Sequence, residues 1–265
     1  MMGATTVCTL LLAAAVGTQR VGSACGPTAY DCALYYVARR DLDSAIKTLQ
    51  ELLSHSPRNL KALNLLGITL TEAGRIEEAN RQYRKAIRFN PRFYPALKNL
   101  AINELTLKRV EEAKRHFAQA LEVAPEDEVA NLMMGEIFLG EGKCGPALKH
   151  YDKARARIVN NTQLILNYSS CALQEGRSQQ AISMLDLVRE DDPQSHFQAG
   201  LMLGQAGSYP EAAKHFGLAR KGSNDPYDAG YNQTLMYIRA GDHDGAIRTA
   251  DELMALGFRR PELYG

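Results

Sequence analysis

The chain has 265 residues, 45% hydrophobic and 23% charged, which suits one long globular domain or two short ones. Its 31 basic residues stand against 30 acidic ones, a net charge of +1, so it lacks the basic excess with which a nucleic-acid binder displaces counterions from phosphates. No stretch reaches the roughly 20 apolar residues of a membrane-spanning helix.

The first element is a shorter apolar run, Val7 to Val16, followed by a polar stretch and Gly22-Ser23-Ala24. It reads as a signal peptide over residues 1–25 with cleavage near Ala24, although no Lys or Arg precedes the run. Export to a periplasmic or extracellular space is therefore the expectation, with a cytoplasmic location and a disordered N-terminus as the alternative. Cys25 follows Ala24, but Gln19, Arg20 and Gly22 fit a lipid-modified cysteine poorly. In an exported chain Cys25 and Cys32 could bridge. Cys144 and Cys171 read as small apolar packing residues, since no cysteine pair has C-x-x-C spacing.

Beyond residue 25 a period of 34 dominates. Ala45, Ala79, Ala113, Ala147 and Ala181 recur at that spacing, as do Pro57, Pro91 and Pro125. Leu49, Tyr83, Phe117, Tyr151 and Leu185 follow the alanines by four, and Leu52, Ala86, Ala120, Ala154 and Val188 by seven. Each unit divides into two amphipathic helices. In the second unit the first helix runs through Leu63, Leu66 and Leu70 and stops at Gly74, where a positive φ ends it cheaply. The second opens at Glu77-Glu78, favoured at a helix N-terminus, and ends at Asn90-Pro91 because proline disfavours helix before it. Small residues at Gly67, Ala101, Gly135 and Gly200 are expected to let the first helix approach the ring or Leu of the second. A single pair cannot bury its apolar faces, so neighbouring pairs must stack.

This pattern, large-x-x-Leu-Gly-x-x-large followed by small, aromatic, small and Pro, resembles the tetratricopeptide repeat family. The resemblance implies an all-α, right-handed solenoid of about seven helix-turn-helix repeats over residues 26–260, beginning near 26, 60, 94, 128, 162, 193 and 227. The first repeat is degenerate and the fifth three residues short. The seventh carries Ala250 where an aromatic is usual. Residues 261–265 read as the opening of a truncated next helix. That end suggests either a following domain or an uncapped repeat through which copies could associate.

Chemistry is hard to place on this chain. It has no phosphate-binding glycine loop, no H-E-x-x-H and no G-x-S-x-G, so it reads as a protein that is not an enzyme and has no metal or cofactor. His116, His150 and His215 share one second-helix position but follow Arg115, Lys149 and Lys214, so a solvated convex face is the favoured reading. Glu77-Glu78 and Glu111-Glu112 read as helix starts, and the Asn-x-Ser/Thr triplets at Asn160, Asn167 and Asn232 as chance occurrences.

Binding is the better reading. The family resemblance implies that first helices line a groove receiving a peptide or protein. Asn99, Asn167 and Asn232, with Gln198, occupy one first-helix position, and a row of amides could pair with a ligand's backbone. The row is interrupted by Leu65 and Met133. It resembles the asparagine ladder of the superhelical repeats of some sugar-transferring enzymes. Lys61, Asn64 and Lys98 touch the family's carboxylate-clamp pattern, but Ile68 and Ile102 replace asparagines the clamp needs. The clamp is rejected, and Asn64 and Lys98 remain candidates for peptide contact. Arg75, Arg81, Arg84, Lys85, Arg88, Arg92 and Lys98 form a basic cluster followed by Glu122, Glu126, Asp127, Glu128, Glu136 and Glu141. These read either as a steering patch or, preferentially, as a mixed-charge solvated face. The sequence thus predicts an interaction scaffold; the alternative is a non-catalytic, substrate-selecting arm of a larger enzyme.

Overall fold

A computed structural model describes residues 25–223 and 225–257. The expected signal segment before Cys25 and the expected helix start at 261–265 lie outside the described residues. Two compact units are distinguished, the first up to Phe89 and the second from Asn90 on.

The first unit holds α1 (Ala29–Ala38), α2 (Leu42–His55), α3 (Leu60–Glu72) and α4 (Ile76–Phe89). The second holds α5 (Tyr94–Thr106), α6 (Val110–Val123), α7 (Glu128–Gly140), α8 (Cys144–Lys153) and α9 (Arg155–Ile158). It continues with α10 (Thr162–Gln174), α11 (Ser178–Leu185), α12 (Pro193–Gln205), α13 (Tyr209–Lys221), α14 (Tyr227–Ala240) and α15 (His243–Ala255). Among the described residues there is no strand, and the helices form seven helix-turn-helix pairs, with the four-residue α9 following α8 directly.

Local chemistry sets the boundaries. Asn59, Asp127, Asn161 and Asp192 accept hydrogen bonds from the backbone N–H of Ala62, Ala130, Leu164 and Ser195, closing the first turns of α3, α7, α10 and α12. The turn inside most pairs uses a left-handed residue: Gly74, Gly142, Gly176, Gly207 and Gly241 all have φ between 71° and 80°. Arg40 and Lys108 hold the same position in the first and third repeats at φ 58° and 59°, without glycine's freedom.

The alanine–aromatic–alanine stripe of the second helix is the core. Ala79, Tyr83 and Ala86 are at most 1% exposed, and Ala113, Phe117 and Ala120 are 0% exposed. The small first-helix residues act as expected. A Cβ built on Gly67 would lie 2.3 Å from Tyr83, one on Gly135 2.5 Å from Tyr151, and one on Gly200 2.9 Å from Phe216. In the last repeat, where Ala250 stands in the aromatic position, the fully buried Leu253 packs against Gly230 instead.

Two sequence-based expectations are corrected. Cys144 and Cys171 are buried, but they do not merely pack: they form a disulfide joining α8 to α10, with Cα atoms 4.7 Å apart. The 27-residue separation carries no C-x-x-C signal, yet the repeat stacks the first residue of α8 onto the C-terminal half of α10. Cys25 and Cys32 also bridge. The histidine row, in turn, does not face solvent. His116 contacts the buried Glu104 at 2.6 Å, and His150 contacts Asn131 at 2.9 Å while stacking on Phe138. His215 is 1% exposed and meets His196 at 3.0 Å. A basic residue before each histidine says nothing of the histidine's own direction, since neighbours on a helix diverge by roughly 100°.

Candidate interaction surface

The second unit supplies five first helices: α5, α7, α10, α12 and α14. Residues 99, 133, 167, 198 and 232 occupy one position on them, and each is half-buried or exposed while the next residue along (Leu100, Met134, Tyr168, Ala199 and Gln233) is buried. The helices therefore turn one accessible side chain per repeat outward beside a closed core. The row reads Asn, Met, Asn, Gln, Asn, so Met133 interrupts it as the sequence indicated.

The amides are not equivalent. Asn167 on α10 donates to both oxygens of Glu136 on α7, at 3.2 and 3.3 Å, and accepts from Gln163 at 2.9 Å. Glu136 also accepts the phenol of Tyr151 at 2.5 Å. Burial, followed by the hydrogen bond to that carboxylate, raises the Tyr151 pKa and keeps the phenol a donor. Asn232 donates to the Asp228 carbonyl of its own helix at 2.8 Å. Asn99 is half-buried and Gln198 is exposed. Asn64 lies on α3 in the first unit, so it is not part of this row.

Lys98 is turned to an internal task. Its ammonium sits 3.1 Å from Asp127, the residue that caps α7, and 4.9 Å from the centre of the Tyr94 ring. Burial opposes the charge, but hydrogen bonds to Tyr94 and Asp127 outweigh it and raise the lysine's pKa.

The acidic run is likewise engaged. Glu126 holds Lys153 at 2.8 Å, Glu128 holds Arg157 at 3.3 Å, and Glu141 holds both Lys114 and Lys143. In the first unit, Glu78 takes Arg75 in a two-pronged pair and Arg81 at 3.7 Å. Much of the expected patchwork is thus internal pairing between successive helices, which sequence order alone does not disclose. One apolar cavity of about 350 Å³ adjoins the row, lined by Leu105, Val110, Met133 and Ile137 with Glu136 and Glu141 at its edge. Among the described residues, no group of three or more His, Cys, Asp or Glu could hold a metal ion, and no helix is long and apolar enough to cross a membrane.

Residues 36–102 and 70–137 match the tetratricopeptide repeat family model. No curated protein matches the sequence. Among solved structures, the chain is similar to YrrB, described as a tetratricopeptide repeat protein with an unusual peptide-binding site. That likeness has 19% identity and a TM-score of 0.61, over 70% of this chain and 97% of YrrB. A tetratricopeptide repeat protein from Parabacteroides merdae aligns at 16% identity and a TM-score of 0.55, over 89% of this chain and 94% of that one. A chain of the Naa15/Naa10 complex bound to HypK-THB aligns at 13% identity and a TM-score of 0.61, where 89% of this chain spans 37% of the other. At such identities the likeness is one of fold. The family match over residues 36–137, the helix pairs that recur at 34 residues and the small-residue and ring contacts that lock them agree: the chain is built of tetratricopeptide-type repeats, a fold that suits an interaction scaffold.

Proposed function

We propose that the protein binds an extended peptide or protein segment along the first-helix row of its second unit. The observation that carries this reading is the row itself: one accessible, mostly amide side chain per repeat at residues 99, 133, 167, 198 and 232, each set beside a buried neighbour. An amide both donates and accepts, so evenly repeated amides suit a ligand whose own backbone groups repeat. The peptide-binding site ascribed to YrrB, which shares the fold, lends support.

The second unit presents the row, so Lys98, tied to Asp127, contributes position more than free charge. The two disulfides support the exported location that the N-terminal segment leads one to expect, because such bonds persist in oxidising compartments.

The test is a comparison of the full chain with an Asn99→Ala/Asn167→Ala variant as bait for envelope and soluble extracts of the source organism. Two lost side-chain hydrogen bonds at roughly 0.7 kcal/mol each correspond to about tenfold weaker binding. The expected result is a partner retained by the wild type and depleted on the variant. Equal retention of the same partner would place binding elsewhere on the chain.

A further inference from the structure

We propose that Glu136 and the cavity beside it form a subsite for a cationic residue adjacent to a large aliphatic one, on a peptide bound as proposed above; the inference rests on that reading. Glu136 stands apart from the other carboxylates at and around α7. Glu126, Asp127, Glu128 and Glu141 each hold a Lys or Arg of this chain, at 2.8, 3.1, 3.3 and 2.5 Å. Glu136 is different. Its partners among the described residues are two neutral donors, the Tyr151 phenol and the Asn167 amide.

Those donors fix the carboxylate in place without cancelling its charge. A carboxylate offers about four acceptor sites, so room remains for a further donor. Glu136 is half-buried, where a charge-assisted hydrogen bond is stronger than one in open water. A guanidinium or ammonium group is the partner this arrangement lacks.

The cavity sets the second half of the motif. Its volume of about 350 Å³ lies within the range of small binding clefts, and Leu105, Val110, Met133 and Ile137 offer it only apolar surface. A Leu, Ile or Met side chain fits within such a space. Val110 is 41% exposed and Met133 is half-buried, so the mouth is open to a ligand. An acidic ligand, by contrast, would have to displace Glu141 from Lys114 and Lys143 to find a cation at this rim.

A display library of random dodecapeptides, selected on the oxidised full-length chain, tests the proposal. The expected result is enrichment of Arg or Lys beside Leu, Ile or Met. Replacing the basic residue of a selected peptide by citrulline, which keeps shape and loses charge, should then weaken binding at least tenfold. On Glu136→Gln the arginine and citrulline peptides should bind alike. That variant keeps a carbonyl oxygen for Tyr151 or Asn167, and its melting temperature is read alongside. Selected peptides without basic enrichment, or no citrulline effect on the wild type, would overturn the subsite and leave the peptide-binding reading standing. A charge preference that survives Glu136→Gln would do the same. If no peptide is selected, both readings fall.

Discussion

Gly135→Ala is a sharp test of how the helix pairs lock together. A Cβ at this position would lie 2.5 Å from both Cδ1 and Cε1 of Tyr151, a ring that is 0% exposed. The ring cannot swing aside freely, because its hydroxyl is bonded to Glu136 and it packs beside Tyr168 at a centroid distance of 6.2 Å. Overpacking of this kind costs about 3 kcal/mol at the upper end of its range. Replacing a mid-helix glycine by alanine returns about 1 kcal/mol through helix propensity. The net expectation is a loss of about 2 kcal/mol, or roughly 4–8 °C in melting temperature. Gly140→Ala is the control. It is the same substitution on the same helix, and nothing lies within 4 Å of the added carbon. It should leave stability unchanged or raise it by about 0.5 kcal/mol, allowing for its place in the last turn. Thermal melts followed by far-UV circular dichroism compare the two. A Gly135→Ala protein that melts at or above the wild type would refute the claim that the ring needs a bare backbone.

Three further outcomes follow from named contacts. Burial, followed by His196, pushes the His215 pKa down to about 4, with Asp186 opposing and Lys214 adding to the shift, while Glu190 and Asp192 face His196. Stability from this pair is whole above the unfolded histidine value near 6.5 and is lost as pH falls, by about 3 kcal/mol at pH 4. Denaturant midpoints between pH 7 and 4 should show that slope, and His215→Gln should flatten it; identical slopes would exclude the pair. Opening the Cys144–Cys171 bridge frees a loop spanning 27 residues, worth about 3.5 kcal/mol on the chain-entropy estimate, so Cys144→Ala/Cys171→Ala should melt well below the oxidised wild type. Lys108→Gly relieves the left-handed backbone at φ 59° and should stabilise by about 1 kcal/mol, seen as a higher melting temperature.

Much of the architecture was legible because it is periodic. One alanine class, one aromatic class and the turn glycines share a spacing of 34, and helix packing demands that spacing wherever the unit recurs. The site was less legible. Asn99, Asn167, Gln198 and Asn232 could be placed on one helix position from spacing, but the tie from Asn167 to Glu136 joins residues 31 apart on different repeats. Glu136 appeared only as one acid in a run, since sequence order does not reveal that its neighbours pair with lysines and arginines of the next helix. The histidine row misled for a related reason. Position fixes which residues are equivalent, while the partner each finds, such as Glu104 for His116 or His196 for His215, depends on packing.

The central claim is that ligands lie on the first-helix row, and site-specific photocrosslinking measures this directly. A benzophenone amino acid at Gln198 or Met133 samples the row, and one at the exposed Lys149 or Lys214 samples second helices. With the partner retained on the wild-type bait, adducts from positions 198 and 133 and none from 149 and 214 is the predicted result. Adducts confined to 149 and 214 would contradict it.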